Sequence, residues 1–414
     1  MCNAQCGGTC DRSHPWLART LLLAASVLVA VGLAACGPGS TDVGDRAVSD
    51  SGGIAIPLRY ARYLELVRHE GFIVARLQAP VADQGGARAP QSDTLVLVPE
   101  ADEAPALTGA LRGATIVRTP VRTIAANNGV DEAFLSALGV ADRLVAVGGL
   151  TSFDNTTRRR AKAGEIAQVG YNWHAPPNLD VLIARQPDVF LMRLSDLAQT
   201  PVLQRARALG LTVVPTFAEE ETSYLGRAEW IRFFGLLTGT DARAQALFDE
   251  IEGNVAALKA QVADQPSPGV LWAYPAGADR WVATVRGAEA AYIADAGGIN
   301  LMAQPEDPAR WSSETVSSEA LLPLAARTDL WLIGDLHAAP PRGRAVLDAF
   351  PAWREGRLYG NTGRSLLDEN VHDWYQTAVV RPDWVLGDFV KMLHPQLRPE
   401  PFRFLKPLPQ DRYQ

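Results

Sequence analysis

Beyond Cys36 the 414-residue chain contains no cysteine. Residues 37–414 therefore hold no disulfide, no thiolate nucleophile and no cysteine-ligated zinc or iron–sulfur cluster. Histidine is scarce too, six in all, which leaves little for a site of three or four converging imidazoles. Positive charge is not in excess. A net charge of −7 lacks the electrostatic footprint of a nucleic-acid binder. The patterns GxSxG, HExxH, GxGxxG and the P-loop are missing, and no spacing of Asp and Glu singles out a catalytic pair. The chain reads as a non-enzyme.

What is present is an apolar content of 47%, enough for packed cores. At the N-terminus Arg12 and Arg19 precede LLLAASVLVAVGLAAC, Leu21 to Cys36. A basic flank, an apolar run and small residues before a break read as an export signal. The run is slightly short for a membrane span, which is the alternative. Its end, Leu33-Ala34-Ala35-Cys36, resembles the lipobox of bacterial lipoproteins, which implies that Cys36 is lipidated. Cys2, Cys6 and Cys10 mimic a metal spacing but fall in the segment to be discarded.

Five stretches follow. Residues 1–36 are signal and lipidated cysteine, and 37–57 a Gly/Ser/Asp-rich flexible tether. Residues 58–224 form an N-terminal α/β lobe whose first part, 58–114, alternates as strands. TIVRTPVRTIAA continues it as one strand-like run, and GVDEAFLSALGV reads as a helix closed by Gly139. Residues 225–265 lack strands and form a helical spine, with Ala244, Leu247, Phe248, Ile251, Val255 and Leu258 at helical spacing. Residues 266–414 return to α/β. The fold class expected is two Rossmann-like lobes with parallel-rich sheets joined by a long helical spine, plus a strand-rich N-terminal extension.

One phrase occurs twice. QVGYNWHAPPNLDVLIARQPDVFLM, from Gln168, sets aromatics before Asp180, a short helix and a strand. RWSSETVSSEALLPLAARTDLWLIG, from Arg310, sets Trp311 before Glu319, a short helix and a strand. Two lobes with matching stations, facing each other at the carboxyl ends of their strands, make one cleft.

With lobes and spine in place, the chain resembles periplasmic substrate-binding proteins of the single-helix-spine class. The residues carrying the likeness are VRTIAANNGVDEAFLSALGVADRLVAVGG, PPNLDVLIARQPDVFLM, LGRAEWIRFFGLL and NVHDWYQTAVVRPDWVLGDFVKMLHP, in that order. The resemblance runs from about Ile116 to Pro409. It implies a receptor that passes a ferric siderophore, haem or cobalamin to an ABC permease. The subfamily likeness favours an iron complex, with cobalamin as the alternative. It also implies that one acid per lobe docks on permease arginines. Those positions hold Asp180, where the family has glutamate, and Glu319. An acid in a helix's first turn is also favourable by ~0.3–1 kcal/mol through the helix dipole alone.

The loops expected to line the cleft supply Asn127, Asn128, Phe153, Tyr171, Trp173, His174 and Arg193 from the first lobe. The second lobe supplies Tyr274, Trp281, Trp311, Arg364, His372, Asp373, Trp374 and Tyr375. Aromatic faces with a few polar groups suit a large, flat ligand, and arginines suit its oxyanions. Each aromatic has a plainer reading as core. The protein itself needs no cofactor, and its ligand carries iron or cobalt. A bare metal would have to use His174 and His372 with Asp373 or Glu369, and His174, His372, Tyr171 or Tyr375 are candidate axial haem ligands. The expected state is a monomer, lipid-anchored in the cell envelope, in the periplasm or on the outer face of the cytoplasmic membrane. A tethered scaffold without a small ligand is a further alternative.

Overall fold

A computed structural model describes residues 53–83, 87–171, 176–277, 279–334 and 347–408. The N-terminal extension is a five-stranded sheet in sequence order: β1 (Ile54–Ile56), β2 (Leu64–His69), β3 (Phe72–Ala82), β4 (Arg88–Pro99) and β5 (Thr115–Thr119). The first three pairings are antiparallel and β4–β5 is parallel. Two expectations change here. Residues 54–56, placed in the tether, are a strand on β2. The run TIVRTPVRTIAA is broken after Thr119, so the sheet reaches past residue 114. Pro120 has no N–H to extend a ladder. The next amides leave the sheet: Val121 donates to the Leu237 carbonyl, and Arg122 and Thr123 to Asp188 Oδ2.

The second half of that run, β6 (Ile124–Ala126), enters a new sheet with β7 (Leu144–Val147), β8 (Ala167–Gln168), β9 (Val189–Arg193) and β10 (Val213–Thr216). The order is β10-β9-β6-β7-β8, and every pairing is parallel. Crossovers are α1 (Gly129–Ala137), α2 (Asn155–Lys162), α3 (Leu179–Arg185) and α4 (Thr200–Ala208). Gly139, at φ 74°, ends the first as its position after the last apolar turn predicts. Strand β6 starts the lobe and has β7 on one side and β9 on the other. The strand order therefore reverses between β6 and β9, where open α/β sheets form their crevice.

The spine is three helices, α5 (Tyr224–Glu229), α6 (Ile231–Thr238) and α7 (Asp241–Val262). Helix α7 serves both lobes. Ala244 and Phe248 are buried in the N-terminal lobe's core, and Ile251, Val255, Leu258 and Val262 in the C-terminal lobe's. Half-buried Leu247 touches both. Each lobe thus gains apolar burial from the same helix, at about 25 cal/mol per Å².

The second lobe centres on β11 (Gly269–Pro275). Its first half pairs in parallel with β13 (Ile299–Asn300) and β15 (Leu330–Leu332). Its second half pairs antiparallel with β12 (Arg280–Thr284), which carries β14 (Ser313–Ser317). Strand β16 (Leu358–Gly360) extends β15 in parallel, and the sheet has a C-terminal antiparallel edge at Lys406–Pro407. Helices here include α8 (Gly287–Asp295), α9 (Ser318–Leu321) and the closing helix Pro382–Leu393.

Buried carboxylates fasten irregular chain to these elements. Glu229 accepts from the amides of Arg59, Tyr60 and Ala61, and Glu221 from Arg62, Tyr63 and the Trp230 indole. Asp388 accepts from the amides of Arg403, Phe404 and Leu405. Each accepts from several amides of irregular chain at once, in place of water.

Candidate functional site

At the end of β6 the two asparagines are structural. Asn127 is 0% exposed, and its Oδ1 accepts from the Arg193 amide at 3.1 Å, stitching β6 to β9. Asn128 caps α1, and its Nδ2 donates to Glu219 at 2.7 Å. Glu219 also pairs with Arg193 at 3.0 Å. The crevice where the strand order reverses is therefore flanked by the chain's own Arg193–Glu219 pair, to which Asn128 donates. Arg193 is paired there with Glu219 and Glu220.

Tyr171 lies across the ends of β6 and β7. Its hydroxyl accepts from the Gly129 amide at 3.1 Å. A Cβ at Gly129 would come within 2.7 Å of that hydroxyl, and one at Gly148 within 2.6 Å of the ring. Both glycines are thus required by close approach. Burial raises the Tyr171 phenol above its ordinary range, so it keeps its proton. Trp173 and His174, and Cys36 with them, lie outside the described residues.

The second lobe sorts its candidates differently. Trp281 is 1% exposed, tilted by 45° against Trp331 at 5.2 Å, with its indole N–H on Ser318 Oγ at 3.0 Å. It belongs to the core, because β12 turns that face inward, and the plainer reading of this aromatic holds. Tyr274 is half-buried near the end of β11. Trp374 packs edge-on to Trp272 and Phe404 and is half-buried. Exposed Tyr375 joins it around a recess of about 70 Å³. Trp311 is exposed and lies under the Arg88 guanidinium, 5.5 Å from the ring centroid. Arg88, near the start of β4, also bonds Glu220 and the Pro308 carbonyl. The extension hairpin thereby bridges the two lobes at one flank of the crevice.

The other flank opens. Phe153, after β7, and Arg364, after β16, meet across the lobes, with the guanidinium 4.4 Å from the ring centroid. Asp373, 0% exposed, holds Arg364 Nε at 2.5 Å. His372 bonds Asn370 through Nε2 at 3.1 Å. Gln376 closes the span: its Oε1 accepts from the Phe153 amide at 2.7 Å, and its Nε2 donates to the Thr151 carbonyl at 2.8 Å. Arg158 and Lys162 of α2 reach Glu369 at 2.9 and 2.5 Å. Behind these contacts lies a cavity of about 420 Å³, lined by Glu132, Ser152, Phe153, Arg158, Arg364 and Gln376 among others. That size suits a small-molecule site.

The structure brings Phe153, Arg364 and Asp373 together as a unit. It keeps Trp311 and Arg193 at a separate crevice of about 140 Å³. Glu132, Arg158 and Gln376 were not singled out from sequence. The only signals were the acid pair in GVDEAFL and the run NTTRRRAK. Glu132 and Asp131 are both buried in the first turn of α1. The helix dipole favours their anions by ~0.3–1 kcal/mol, but desolvating an unpaired carboxylate costs several kcal/mol. Burial wins. It pushes Asp131 up to about 7, against a hydrogen bond from Thr216, and Glu132 up to about 8, with Asp131 and Asp154 adding in the same direction.

Asp180 and Glu319 are both exposed in the first turn of their helices, behind the side-chain caps Asn178 and Ser317. Among the described residues, no three or more His, Cys, Asp or Glu are grouped to hold a metal ion, and no helix is long and apolar enough to cross a membrane.

Comparison with known proteins places this architecture. Two uncharacterized lipoproteins of Methanocaldococcus jannaschii are similar. One is 23% identical over 242 residues, covering 56% of this chain and 54% of its own length. The other is 24% identical over 238 residues, covering 53% and 56%. The chain spans about half the length of these curated relatives. Among solved structures, a periplasmic heme binding protein from Pseudomonas aeruginosa superposes with a TM-score of 0.52 at 20% identity, over 69% of this chain and 97% of that one. A Helicobacter pylori protein solved with Ni(II) bound gives 0.51 at 12% identity, over 68% and 86%. At these identities the likeness is one of fold. A family model described as periplasmic binding protein matches residues 124–359, more than half of the chain. That span begins with β6 in one lobe and ends within β16 in the other, taking in the spine between them, and the chain belongs to the periplasmic binding protein family.

Proposed function

We propose that the protein is an extracytoplasmic receptor that captures an iron complex, a ferric siderophore or haem, between its lobes and delivers it to an ABC permease. The observation that carries this reading is the cavity of about 420 Å³ whose walls come from both lobes. Phe153, Arg158 and Arg364 line the same space, with the guanidiniums paired to Glu369 and Asp373, so that a ligand oxyanion would share them with those carboxylates. The fold neighbours support it, since the Pseudomonas aeruginosa protein is named for binding heme. Capture and release need no bond chemistry. Asp180 and Glu319, exposed at matching stations, are the proposed feet for the permease, and lipidated Cys36 the proposed anchor.

The test is a tryptophan-fluorescence titration with ferric hydroxamate, ferric catecholate, haemin and cyanocobalamin in parallel. Saturable quenching by an iron complex at sub-micromolar concentration is the expected result. Saturation by cyanocobalamin alone assigns a corrinoid instead. No response from any of the four shifts the reading to a bare metal, another solute or a tethered scaffold.

A further inference from the structure

Glu132 stands on the wall of the cavity between the lobes, yet the residue is only 3% exposed. The Ser152 hydroxyl and the Gly148 backbone meet its carboxyl. Its Oε2 has no hydrogen-bond partner among the described residues. A buried oxygen left without a partner in an otherwise bonded wall asks for an explanation.

The charged and titratable groups around it are of two kinds. Asp131 on α1, Asp154 before α2 and Tyr171 after β8 are acids that raise the cost of a negative charge on Glu132 or feel it. The cations of the cavity are engaged elsewhere. Arg158 holds Glu369 and the carbonyls of Ser152 and Phe153, and Arg364 holds Asp373 and the Phe153 ring. A buried carboxyl facing two acids, with its nearest cations already paired, keeps its proton. A protonated carboxyl has one O–H to donate.

We infer that Glu132 is a neutral carboxylic acid that donates a hydrogen bond to an acceptor oxygen of the bound ligand, so that this wall selects ligands bearing carboxylate, hydroxamate or catecholate oxygens. The inference rests on the cavity being the ligand site. Deprotonation would replace the donor with a negative charge facing the ligand's oxygens and loosen the complex. With the proton leaving near pH 8, the fraction of donor falls about tenfold between pH 7 and pH 9.

Two readouts test this on the whole chain. The first needs no ligand: infrared difference spectra across pH. The wild type should show a protonated-carboxyl band that disappears with a midpoint near 8, in addition to the Asp131 band that titrates near 7, and Glu132→Gln should lack the former and keep the latter. A carboxylate signal already complete at pH 6 overturns the proposal. The second is the affinity for ferric hydroxamate, ferric catecholate and haemin between pH 6 and 9. Wild-type affinity should fall about tenfold from pH 7 to 9, Glu132→Gln should lose that pH dependence, and Glu132→Leu should bind about tenfold more weakly at pH 7. A Glu132→Gln profile that follows the wild type overturns the donor role. If no probe binds at any pH, the donor role toward these ligands is overturned, and the infrared band then tells whether the ligand class or the protonation state was wrong.

Discussion

Removing the Glu229 carboxylate should detach the start of the extension from the spine. Glu229 is 0% exposed. Its Oε1 accepts from the Arg59 amide at 2.8 Å, and its Oε2 from Arg59 at 3.0 Å, Tyr60 at 2.7 Å and Ala61 at 2.8 Å. Alanine leaves three amides without an acceptor. Each unmet amide costs about 1–3 kcal/mol when fully buried. Residues 59–61 are only part-buried, so water recovers some of that, and Glu229→Ala should cost about 3–5 kcal/mol. Glutamine keeps one oxygen for Tyr60 and Ala61 and turns an NH2 toward the Arg59 amide. Glu229→Gln should therefore cost about 1–2 kcal/mol. Urea unfolding followed by circular dichroism measures both, and limited proteolysis reports whether residues 59–63 become cleavable first. An alanine variant that loses less than about 1 kcal/mol and shows no new cleavage would refute the clamp. So would glutamine costing as much as alanine.

Asp131 tests burial against charge. Its folded pKa is raised from 3.8 to about 7, so its contribution to stability is full below pH 4 and is lost as pH rises through 7. Asp131→Asn, which cannot ionise, should gain on the wild type by roughly 2.5 kcal/mol between pH 5 and pH 8 in urea unfolding, and a pH-independent difference would contradict the assignment. Gln376→Ala removes both bonds across the lobes, to Phe153 and Thr151. The ligand-free protein should then show a larger radius of gyration by small-angle scattering, and an unchanged profile would mean those bonds do not hold the lobes. Asp180→Arg combined with Glu319→Arg should leave ligand affinity intact and abolish uptake in cells. Lost affinity would place the acids in the cleft or the fold instead.

The mixed α/β character with parallel-rich sheets was readable because its signals are local. Alternation marks β3 and β4, helical spacing marks α7, and Gly139 marks the end of α1. The exposed acids were readable because their stations repeat in both halves of the sequence. What was not readable depends on partners distant in sequence. Nothing local says that Thr115–Thr119 joins β4 while Ile124–Ala126 joins β9. Strand β14, SETVS, is too polar to stand out until β12 pairs with it. Arg193 looked available because Glu219, which neutralises it, lies 26 residues away on another loop. Glu132 drew no notice, since burial by chain distant in sequence leaves no mark on its neighbours in GVDEAFL.

Helix α7 has a consequence for how the protein can be divided. Its early turns finish one lobe and its later turns the other, with Leu247 touching both. A cut before Asp241 strips Ala244 and Phe248 from the first lobe, and a cut after Val262 leaves four apolar residues of the second lobe's core uncovered on the first fragment. Neither break leaves both lobes with their full apolar cores. Serial truncation should find no soluble stopping point across this helix, and the two lobes should melt in one transition, as a unit that evolution can resize at its loops but not split at its middle.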